Sequence, residues 1–206
     1  MELIFEHSKP FLELLNQYDC ALLEIETKLN VLNKELAFKG DQNPIDSIKS
    51  RLKQPRSIIK KLQTRGFTTF TIEDIKKNIL DIAGIRVVCP FPEDVYKVAE
   101  ALVKQDDVDT IIVKDYIKNP KPNGYRSLHV IAEVPVFLSK SKIMVPVEIQ
   151  FRTIAMNFWA SLEHRMHYKK SINKTEIYER LSYCAEQIAN MDLTMQQIRA
   201  DILNME

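Results

Sequence analysis

Apolar residues recur at helical spacing in two long segments at the ends of the chain. Ser8 and Pro10 are residue types that often begin a helix, and the N-terminal pattern starts directly after them. Its apolar positions are Phe11, Leu15, Tyr18, Leu22, Ile25, Leu29, Leu32 and Leu36. Those of the C-terminal segment are Ile177, Leu181, Cys184, Ile188, Met191, Met195, Ile198 and Ile202. Steps of four and three predict two long helices whose seams pack on the core, on each other or on another subunit. Because both are long for so small a core, we expect an oligomer.

The segment between these helices mixes helical and strand periods. Helices are predicted over 47–65, 72–79, 92–105 and 153–169, and strands over 82–89, 110–116, 125–137 and 143–153. This order predicts an α/β (α+β) fold with a mixed sheet of about five strands flanked by helices. We expect a single domain over 1–206, composed of an N-terminal helical extension over 1–40, a core over 43–170 and a C-terminal helix over 173–206.

The last predicted strand has one apolar face and one polar face. Its apolar positions are Ile143, Val145, Val147, Ile149 and Phe151, and its polar positions are Glu148, Gln150 and Arg152. A carboxylate, an amide and a guanidinium in register suit an anionic substrate with a reactive hydroxyl, for which Glu148 is the candidate general base or metal ligand. The alternative is a surface salt bridge between Glu148 and Arg152.

Two further groups of charged residues precede this strand. The predicted helix over 47–65 places Lys49, Lys53, Arg56 and Lys60 on one face, which is either a solvated surface or a polyphosphate site. Asp81 stands directly before an apolar strand that also carries Arg86. Its carboxylate either caps a helix or holds Mg²⁺, which prefers carboxylates together with phosphate oxygens.

A basic loop over 114–124 leads into the strand predicted from Tyr125. Alternation places Tyr125, Ser127 and His129 on one face of that strand. A tyrosine beside lysines can stack on a nucleic-acid base while the cations hold phosphates. An ordinary amphipathic strand has the same periodicity, so both interpretations stay open.

The composition limits the class of protein. The formal net charge is +1 and the pI is about 7.7, whereas proteins that grip a nucleic-acid backbone usually carry a stronger basic excess. The three cysteines fit no zinc or redox spacing, so we expect reduced thiols and a cytoplasmic location. No apolar run is long enough to span a membrane. The four glycines form neither a P-loop nor a dinucleotide fingerprint, so arginine and lysine side chains must hold any phosphates.

Taken together, these motifs resemble the synthetase domain of RelA/SpoT proteins in its short form, the small alarmone synthetases. The resemblance covers about residues 43–170 in the expected order. It is carried by Arg51-Leu-Lys53 with Ser57 and Lys60, the run from Asp81 to Arg86, Lys114-Asp-Tyr-Ile, the run from Pro120 to His129, the run from Val147 to Thr153, and the run from Ala155 to His164.

The resemblance implies a nucleotidyltransferase-like fold that transfers the β,γ-pyrophosphate of ATP to the 3′-hydroxyl of GTP or GDP. It implies a homotetramer and no hydrolase activity. It also implies residue roles. Glu148 and Asp81 are catalytic and hold Mg²⁺. The ATP-binding residues are Arg51, Lys53, Ser57, Lys60 and Arg86. The residues that bind GTP or GDP are Lys114, Lys121, Tyr125, Arg126, His129, Gln150, Arg152 and Asn157.

Three other functions remain open on the sequence alone. One is an RNA-binding module that uses the basic segments, although the near-neutral charge disfavours it as the main role. Another is a structural coiled-coil protein, which leaves the polar strand face unexplained. The third is an enzyme that pyrophosphorylates another acceptor, such as ATP or the end of a tRNA. The sequence also leaves open the choice between GDP and GTP.

Overall fold

A computed structural model describes residues 8–39, 43–166 and 174–205 of the chain. The helices in this part of the chain are α1 (Lys9–Phe38), α2 (Pro55–Thr64), α3 (Ile72–Asn78), α4 (Pro92–Val103), α5 (Ile154–Met166) and α6 (Lys174–Leu203). The strands are β1 (Ser47–Leu52), β2 (Ala83–Cys89), β3 (Asp109–Asp115), β4 (Leu128–Phe137) and β5 (Lys142–Thr153). None of the helices described is both long enough and apolar enough to cross a membrane.

The strands form one mixed sheet in the order β1-β2-β5-β4-β3. Only the central pair, β2 and β5, is parallel, and the other neighbours are antiparallel. One face of the sheet is apolar and packs on α1 and α4, with Ile85, Val147 and Ile149 at most 1% exposed. The opposite face carries the polar side chains. The α/β fold with five strands and long terminal helices is therefore confirmed.

Helix α1 packs on the sheet as part of the same core. Phe11, Ile25 and Leu29 are fully buried, and the rest of the predicted seam is buried or packed against the core. A lysine halfway along the helix, Lys28, also reaches Asp107 at 2.6 Å, beyond the end of α4. The N-terminal seam therefore packs on the core of its own chain, which is one of the three predicted alternatives.

The helix predicted over 47–65 is wrong in its first half. Residues 47–52 form strand β1, which pairs antiparallel with β2, and a helix begins only at Pro55. Gln54 is extended (φ −60°, ψ 139°), as expected of the residue before a proline. Residues 47–52 form a strand because they pair with β2 at the edge of the sheet. The spacing of the charged residues did not indicate this pairing. Lys49 and Lys53 therefore share no helix face with Arg56 and Lys60.

The strand predicted from Tyr125 begins three residues later, at Leu128. Ser127 does not share a face with Tyr125 and His129, because it is fully buried and its hydroxyl donates a hydrogen bond to the Phe151 carbonyl at 3.0 Å. Strand β4 begins only after Ser127, so the alternation of side chains between the two faces of the sheet does not extend to residues 125–127.

The C-terminal seam is divided between two environments. Leu181 is 8% exposed and packs with Trp159 of α5, whereas Met191 is 63% exposed and Ile202 is 53% exposed. Farther along, α6 contacts α4 through polar groups: Arg199 donates to Asp94 at 2.7 Å, and the Gln196 side chain accepts from the Glu93 backbone N–H. The second half of the seam is therefore uncovered within this chain.

Candidate active site

Cross-strand register gathers the polar side chains on the open face of the sheet. Residues directly opposite each other in neighbouring strands share a face. One such row crosses all five strands and consists of Lys49, Arg86, Gln150, His129 and Lys114. The next row contains Arg51, Gly84 and Glu148. The sheet thus brings residues from four separate sequence motifs onto one surface.

A cavity of about 270 Å³ lies over β1, β2 and β5. Its lining consists of Lys49, Ser50, Arg51, Lys53, Asp81, Gly84, Ile85, Arg86, Glu148 and Gln150. Gly84 stands opposite both Arg51 and Glu148, so the floor between these two residues has no side chain. This part of the surface, from β1 to Asp81, is called the donor half below, after the pyrophosphate donor ATP that the family resemblance places there.

Asp81 is the charged centre of the donor half. Its Oδ2 accepts hydrogen bonds from the ammonium groups of Lys53 and Lys61, each at 2.8 Å. Its Oδ1 is buried without a hydrogen-bond partner among the described residues. Burial raises the pKa of the Asp81 carboxyl, but the hydrogen bonds from the two lysines outweigh this effect and hold the pKa below its ordinary value. Asp81 is therefore ionised at neutral pH, with one oxygen left for another ligand.

Guanidinium groups crowd together beside this cavity. Burial lowers the pKa of Arg86, and the nearby charges of Arg152 and Arg51 lower it further. The Nε groups of Arg86 and Arg152 are both buried without a hydrogen-bond partner in the part of the chain that the structure describes. Like charges held close together with unsatisfied donors are stabilised by an anion, and phosphate is the anion whose geometry guanidinium groups match best.

Glu148 is held differently, by donors that come from side chains on β4 and β5. The His129 Nδ1 atom lies 3.3 Å from Glu148 Oε1, and the Gln150 amide donates to Oε2 at 2.9 Å. Burial raises the pKa of Glu148, yet the hydrogen bonds from His129 and Gln150 outweigh it, so the net pKa lies below the ordinary value. Glu148 is therefore a carboxylate at neutral pH. The surface around it, from Lys114 to Asn157, is called the acceptor half.

Tyr125 is surrounded by cations and rings. The Lys121 ammonium lies 4.9 Å from the Tyr125 ring centroid and 4.7 Å from that of Tyr116, and the Arg152 guanidinium carbon lies 5.2 Å from that of Tyr125. The His129 ring meets Tyr125 edge to face at 5.9 Å, and Trp159 lies at 6.5 Å. An aromatic surface next to a lysine and an arginine can bind a base and phosphates together.

The loop before Tyr125 is fixed at both ends. Asp115 Oδ1 accepts the backbone N–H groups of Ile117 and Lys118, each at 3.0 Å, and Asp115 also accepts from the Tyr96 hydroxyl. At the other end Gly124 has φ +87° and lies directly against α6, where an added Cβ would come within 2.5 Å of the Ala185 Cβ. Only glycine combines this backbone conformation with so close an approach. The C-terminal helix therefore supports the loop before Tyr125, which belongs to the acceptor half.

A family model described as a region found in RelA / SpoT proteins matches residues 50–173 of this chain. The chain belongs to this family. GTP pyrophosphokinase YwaC of Bacillus subtilis (strain 168) is 41% identical over 186 residues, which cover 90% of this chain and 88% of that protein. The crystal structure of small alarmone synthetase 2 from Bacillus subtilis has a TM-score of 0.83 and 40% identity, covering 94% of this chain and 100% of the other.

A further solved relative is small alarmone synthetase 1 from Bacillus subtilis bound to its product pppGpp. It has a TM-score of 0.83 and 33% identity, with 95% of this chain and 99% of that chain covered. The family predicted from the sequence motifs is thus confirmed. The fold predicted from the sequence is confirmed as well, since these relatives share it.

Most residues with a predicted role meet on the open face of the sheet, and four lie apart from it. Ser57 and Lys60 are exposed on α2 and do not line the cavity, whereas Lys61, to which no role was assigned, binds Asp81. Arg126 lines a separate, small cavity together with Trp159 and Ile188, next to α6. Asn157 lies on α5, with a buried Oδ1 that has no partner among the described residues. The roles of these four residues stay predictions, as do those of the residues on the open face.

The donor set fits a magnesium ion that is completed by substrate phosphates. Among the described residues no cluster of three or more histidine, cysteine or acidic side chains could hold a metal ion. Asp81 and Glu148 are close enough for the charge of Asp81 to raise the pKa of Glu148, and Asp81 has one buried oxygen without a partner. Mg²⁺ commonly takes one or two carboxylates and fills its other positions with water and phosphate oxygens.

Proposed function

We propose that this member of the RelA/SpoT family makes guanosine alarmones with Mg²⁺ held by Asp81 and Glu148. The chain is a GTP pyrophosphokinase, a (p)ppGpp synthetase. It transfers the β,γ-pyrophosphate of ATP to the 3′-hydroxyl of GTP or GDP, and the products are AMP and pppGpp or ppGpp. The observation that carries the assignment is one open sheet face with an ion-paired carboxylate in a cationic cavity and a second carboxylate beside an aromatic acceptor surface.

The donor half binds ATP. Arg51 and Arg86 stand on neighbouring strands of the cavity and hold the adenine between them, as the family resemblance implies. Lys53 is assigned to the ATP phosphates by the resemblance, and we assign Lys61 to the same task because both ammonium groups converge on Asp81. Ser57 and Lys60 are assigned to the phosphates by the resemblance alone. When bound, Mg²⁺ would neutralise the phosphate charge and stabilise the departing AMP.

The acceptor half binds the guanine nucleotide and accepts its proton. Tyr125 stacks on guanine with Asn157 at the edge of the base, while Lys114, Lys121 and His129 face the phosphates. Arg126 is assigned to the phosphates by the resemblance alone. The 3′-oxygen attacks the β-phosphorus of ATP, and the bond from that phosphorus to the α,β-bridging oxygen breaks. The electron pair of that bond leaves with AMP. The hydroxyl proton passes to Glu148, which is already ionised.

Incubation of the purified chain with Mg²⁺, γ-labelled ATP and GTP or GDP tests the reaction. Anion-exchange chromatography should resolve labelled guanosine penta- or tetraphosphate, together with an equal amount of AMP. Replacing the guanine nucleotide by ATP alone or by tRNA tests the other acceptors, for which we expect little product. Intact ATP with both guanine nucleotides would overturn the assignment.

We also infer that the chain is a homotetramer. The C-terminal helix leaves Met191, Met195, Ile198 and Ile202 on one exposed stripe, between 45% and 63% exposed, next to the face that contacts α4 and α5. Light scattering after gel filtration should give four times the chain mass of 24.0 kDa. Met195→Glu combined with Ile198→Glu should lower the mass, whereas Asn190→Glu, at an exposed polar position of the same helix, should not. A monomeric wild-type chain would contradict the inference.

A cytoplasmic location is part of this proposal. The cysteines of the chain, Cys20, Cys89 and Cys184, are all free thiols, which is typical of proteins in a reducing compartment. ATP, GTP and GDP are also available there as substrates. Fractionation of the native host cells with an antibody against the chain would test the location, and recovery in the membrane or secreted fraction would contradict it.

A further inference from the structure

Five side chains of the acceptor half form a closed ring of hydrogen bonds. Arg152 NH2 lies 2.8 Å from the Tyr125 hydroxyl and 3.0 Å from Gln150 Oε1. The Tyr125 hydroxyl lies 2.8 Å from His129 Nε2. The ring closes on Glu148, with His129 Nδ1 at 3.3 Å from Oε1 and Gln150 Nε2 at 2.9 Å from Oε2. Two chains of contacts, one through Tyr125 and His129 and one through Gln150, thus join a single Arg152 nitrogen to the two oxygens of Glu148.

The direction of the bonds in the ring follows from its two ends, Arg152 and Glu148. A guanidinium can only donate, so its NH2 group gives one proton to the Tyr125 hydroxyl and one to Gln150 Oε1. The Gln150 amide is thereby oriented with its NH2 group toward Glu148. A carboxylate can only accept, so His129 must carry its proton on Nδ1. In the neutral imidazole Nε2 then accepts the one proton of the Tyr125 hydroxyl, and every donor in the ring has an acceptor.

We propose that Arg152 is a positioning residue that fixes the orientation of the Glu148 carboxylate through the Tyr125–His129 arm and the Gln150 arm. Arg152 is 5% exposed and does not line the cavity over the donor half, so its NH2 group is committed to the ring. Its strand position is secured by the buried neighbours Phe151 and Thr153. The Tyr125 hydroxyl therefore has a role that is separate from stacking by the ring.

The ring matters for the reaction because a general base must point at the proton that it removes. Proton transfer needs a heavy-atom distance of about 2.6–3.2 Å between base and hydroxyl. A carboxylate held at both oxygens cannot rotate about its terminal bond, whereas one held at a single oxygen can. Losing either arm should therefore release the base, and losing the second arm should add little.

Kinetics of arm variants test this prediction, which rests on the proposed function. Tyr125→Phe keeps the aromatic ring and cuts one arm, and Gln150→Met cuts the other. We expect each to lower kcat about five- to tenfold with less than about a twofold change in the KM for the acceptor. The double variant should lose much less than the product of the two effects, and Arg152→Met should match the double variant. Tyr116→Phe is the matched control, because no hydrogen bond of its hydroxyl to another described residue is found.

A second measurement needs no turnover and separates failure of the ring from failure of the proposed function. Long-range ¹H–¹⁵N NMR spectra of the imidazoles, without nucleotides, report which nitrogen carries the proton. His129, one of four histidines, is assigned by its loss in His129→Asn. We expect the Nδ1–H tautomer in the wild type and in Tyr116→Phe, and a mixture in Tyr125→Phe. A predominant Nε2–H tautomer in the wild type would overturn the proposal, as would a Tyr125→Phe variant that changes only KM.

Discussion

The two carboxylates of the site are held in opposite ways, one in each half. Asp81 is bound by two ammonium groups through one oxygen, and its other oxygen has no partner among the described residues. Glu148 is bound at both oxygens, by an imidazole and an amide. A carboxylate that is neutralised by two ammonium groups and has a spare oxygen suits a metal ligand, whereas one oriented at both oxygens by an imidazole and an amide suits a base. Both carboxylates can contribute to the proposed magnesium site, but the contrast makes Glu148 alone the candidate base.

The largest effect should come from removing the base. Glu148→Gln should lower kcat by about 10²–10⁴ while leaving the melting temperature nearly unchanged, because an amide of the same size cannot accept the hydroxyl proton. Alarmone formation followed over time by anion-exchange chromatography measures the loss. Glu179→Gln, the same change at an exposed position of the C-terminal helix, is the control. Near-normal turnover of Glu148→Gln would remove this residue from the mechanism.

Asp81→Asn should sharpen the contrast, because it removes a charge that two lysines neutralise. We expect turnover to fall by about 10²-fold and the Mg²⁺ concentration at half-maximal rate to rise, since the amide is a poor metal ligand. Binding of ATP without Mg²⁺ should be retained or tighter, because Lys53 and Lys61 are then free to meet the phosphates. Titration calorimetry with ATP in EDTA measures this. Weaker ATP binding without the metal would show that Asp81 organises the lysines.

A pair of glycine substitutions compares the supports of the two halves. Gly66, just past the end of α2, has φ +90° and nothing within 4 Å of an added Cβ, whereas Gly124 has φ +87° and the C-terminal helix in the way. Both substitutions put alanine into the left-handed region, at about 1–2 kcal/mol each. Gly124→Ala should destabilise the fold by about 1–3 kcal/mol more, from overpacking, and should raise the KM for the acceptor but not for ATP. Equal melting temperatures for the two variants would show that α6 moves away from the added methyl group without loss of stability.

Sequence patterns predicted the polar face of β5 well because its register is set within one strand. Glu148, Gln150 and Arg152 alternate with a buried apolar face, and this alternation alone places them together. The alternative of a direct Glu148–Arg152 salt bridge is not what the structure shows, since the Gln150 amide lies between the two groups and bonds to both. Local periodicity places side chains on a face but does not reveal which of them touch.

Contacts between distant segments could not be predicted in this way. The ring joins Tyr125 to Arg152, 27 residues apart, and the donor half joins Lys61 to Asp81, 20 residues apart, so the geometry of the site depends on strand order and on the true start of α2. The charge spacing over 47–65 was consistent with a helix because lysine and arginine are tolerated in both states. Pairing of β1 with β2 decided between them. The same limit applies to the terminal helices, whose seams look alike although only the N-terminal one is covered along its length.

The smallest effect should come from the contact that joins the C-terminal helix to the acceptor half. Asp192 is 7% exposed and accepts a hydrogen bond from the Thr153 hydroxyl, which in turn accepts from the Met156 N–H at the start of α5. Burial raises the pKa of Asp192 above its ordinary value. A raised pKa in the folded state means that ionisation opposes folding, so the stability tied to Asp192 falls as the pH rises from the ordinary pKa to the folded one.

Asp192→Asn keeps an acceptor for Thr153 and removes that charge. We therefore expect the melting temperature at pH 7 to rise by about 1–3 °C, and the gain to vanish below about pH 4, where the wild-type carboxyl is protonated in both states. Calorimetric scans across pH measure the difference. Thr153 directly follows Arg152 in the chain. Turnover should nevertheless stay close to that of the wild type, because Asp192→Asn removes only a charge and keeps the acceptor for Thr153. A lower melting temperature at pH 7 would mean that the charged form of Asp192, through its hydrogen bond with Thr153, holds α6 on the acceptor half.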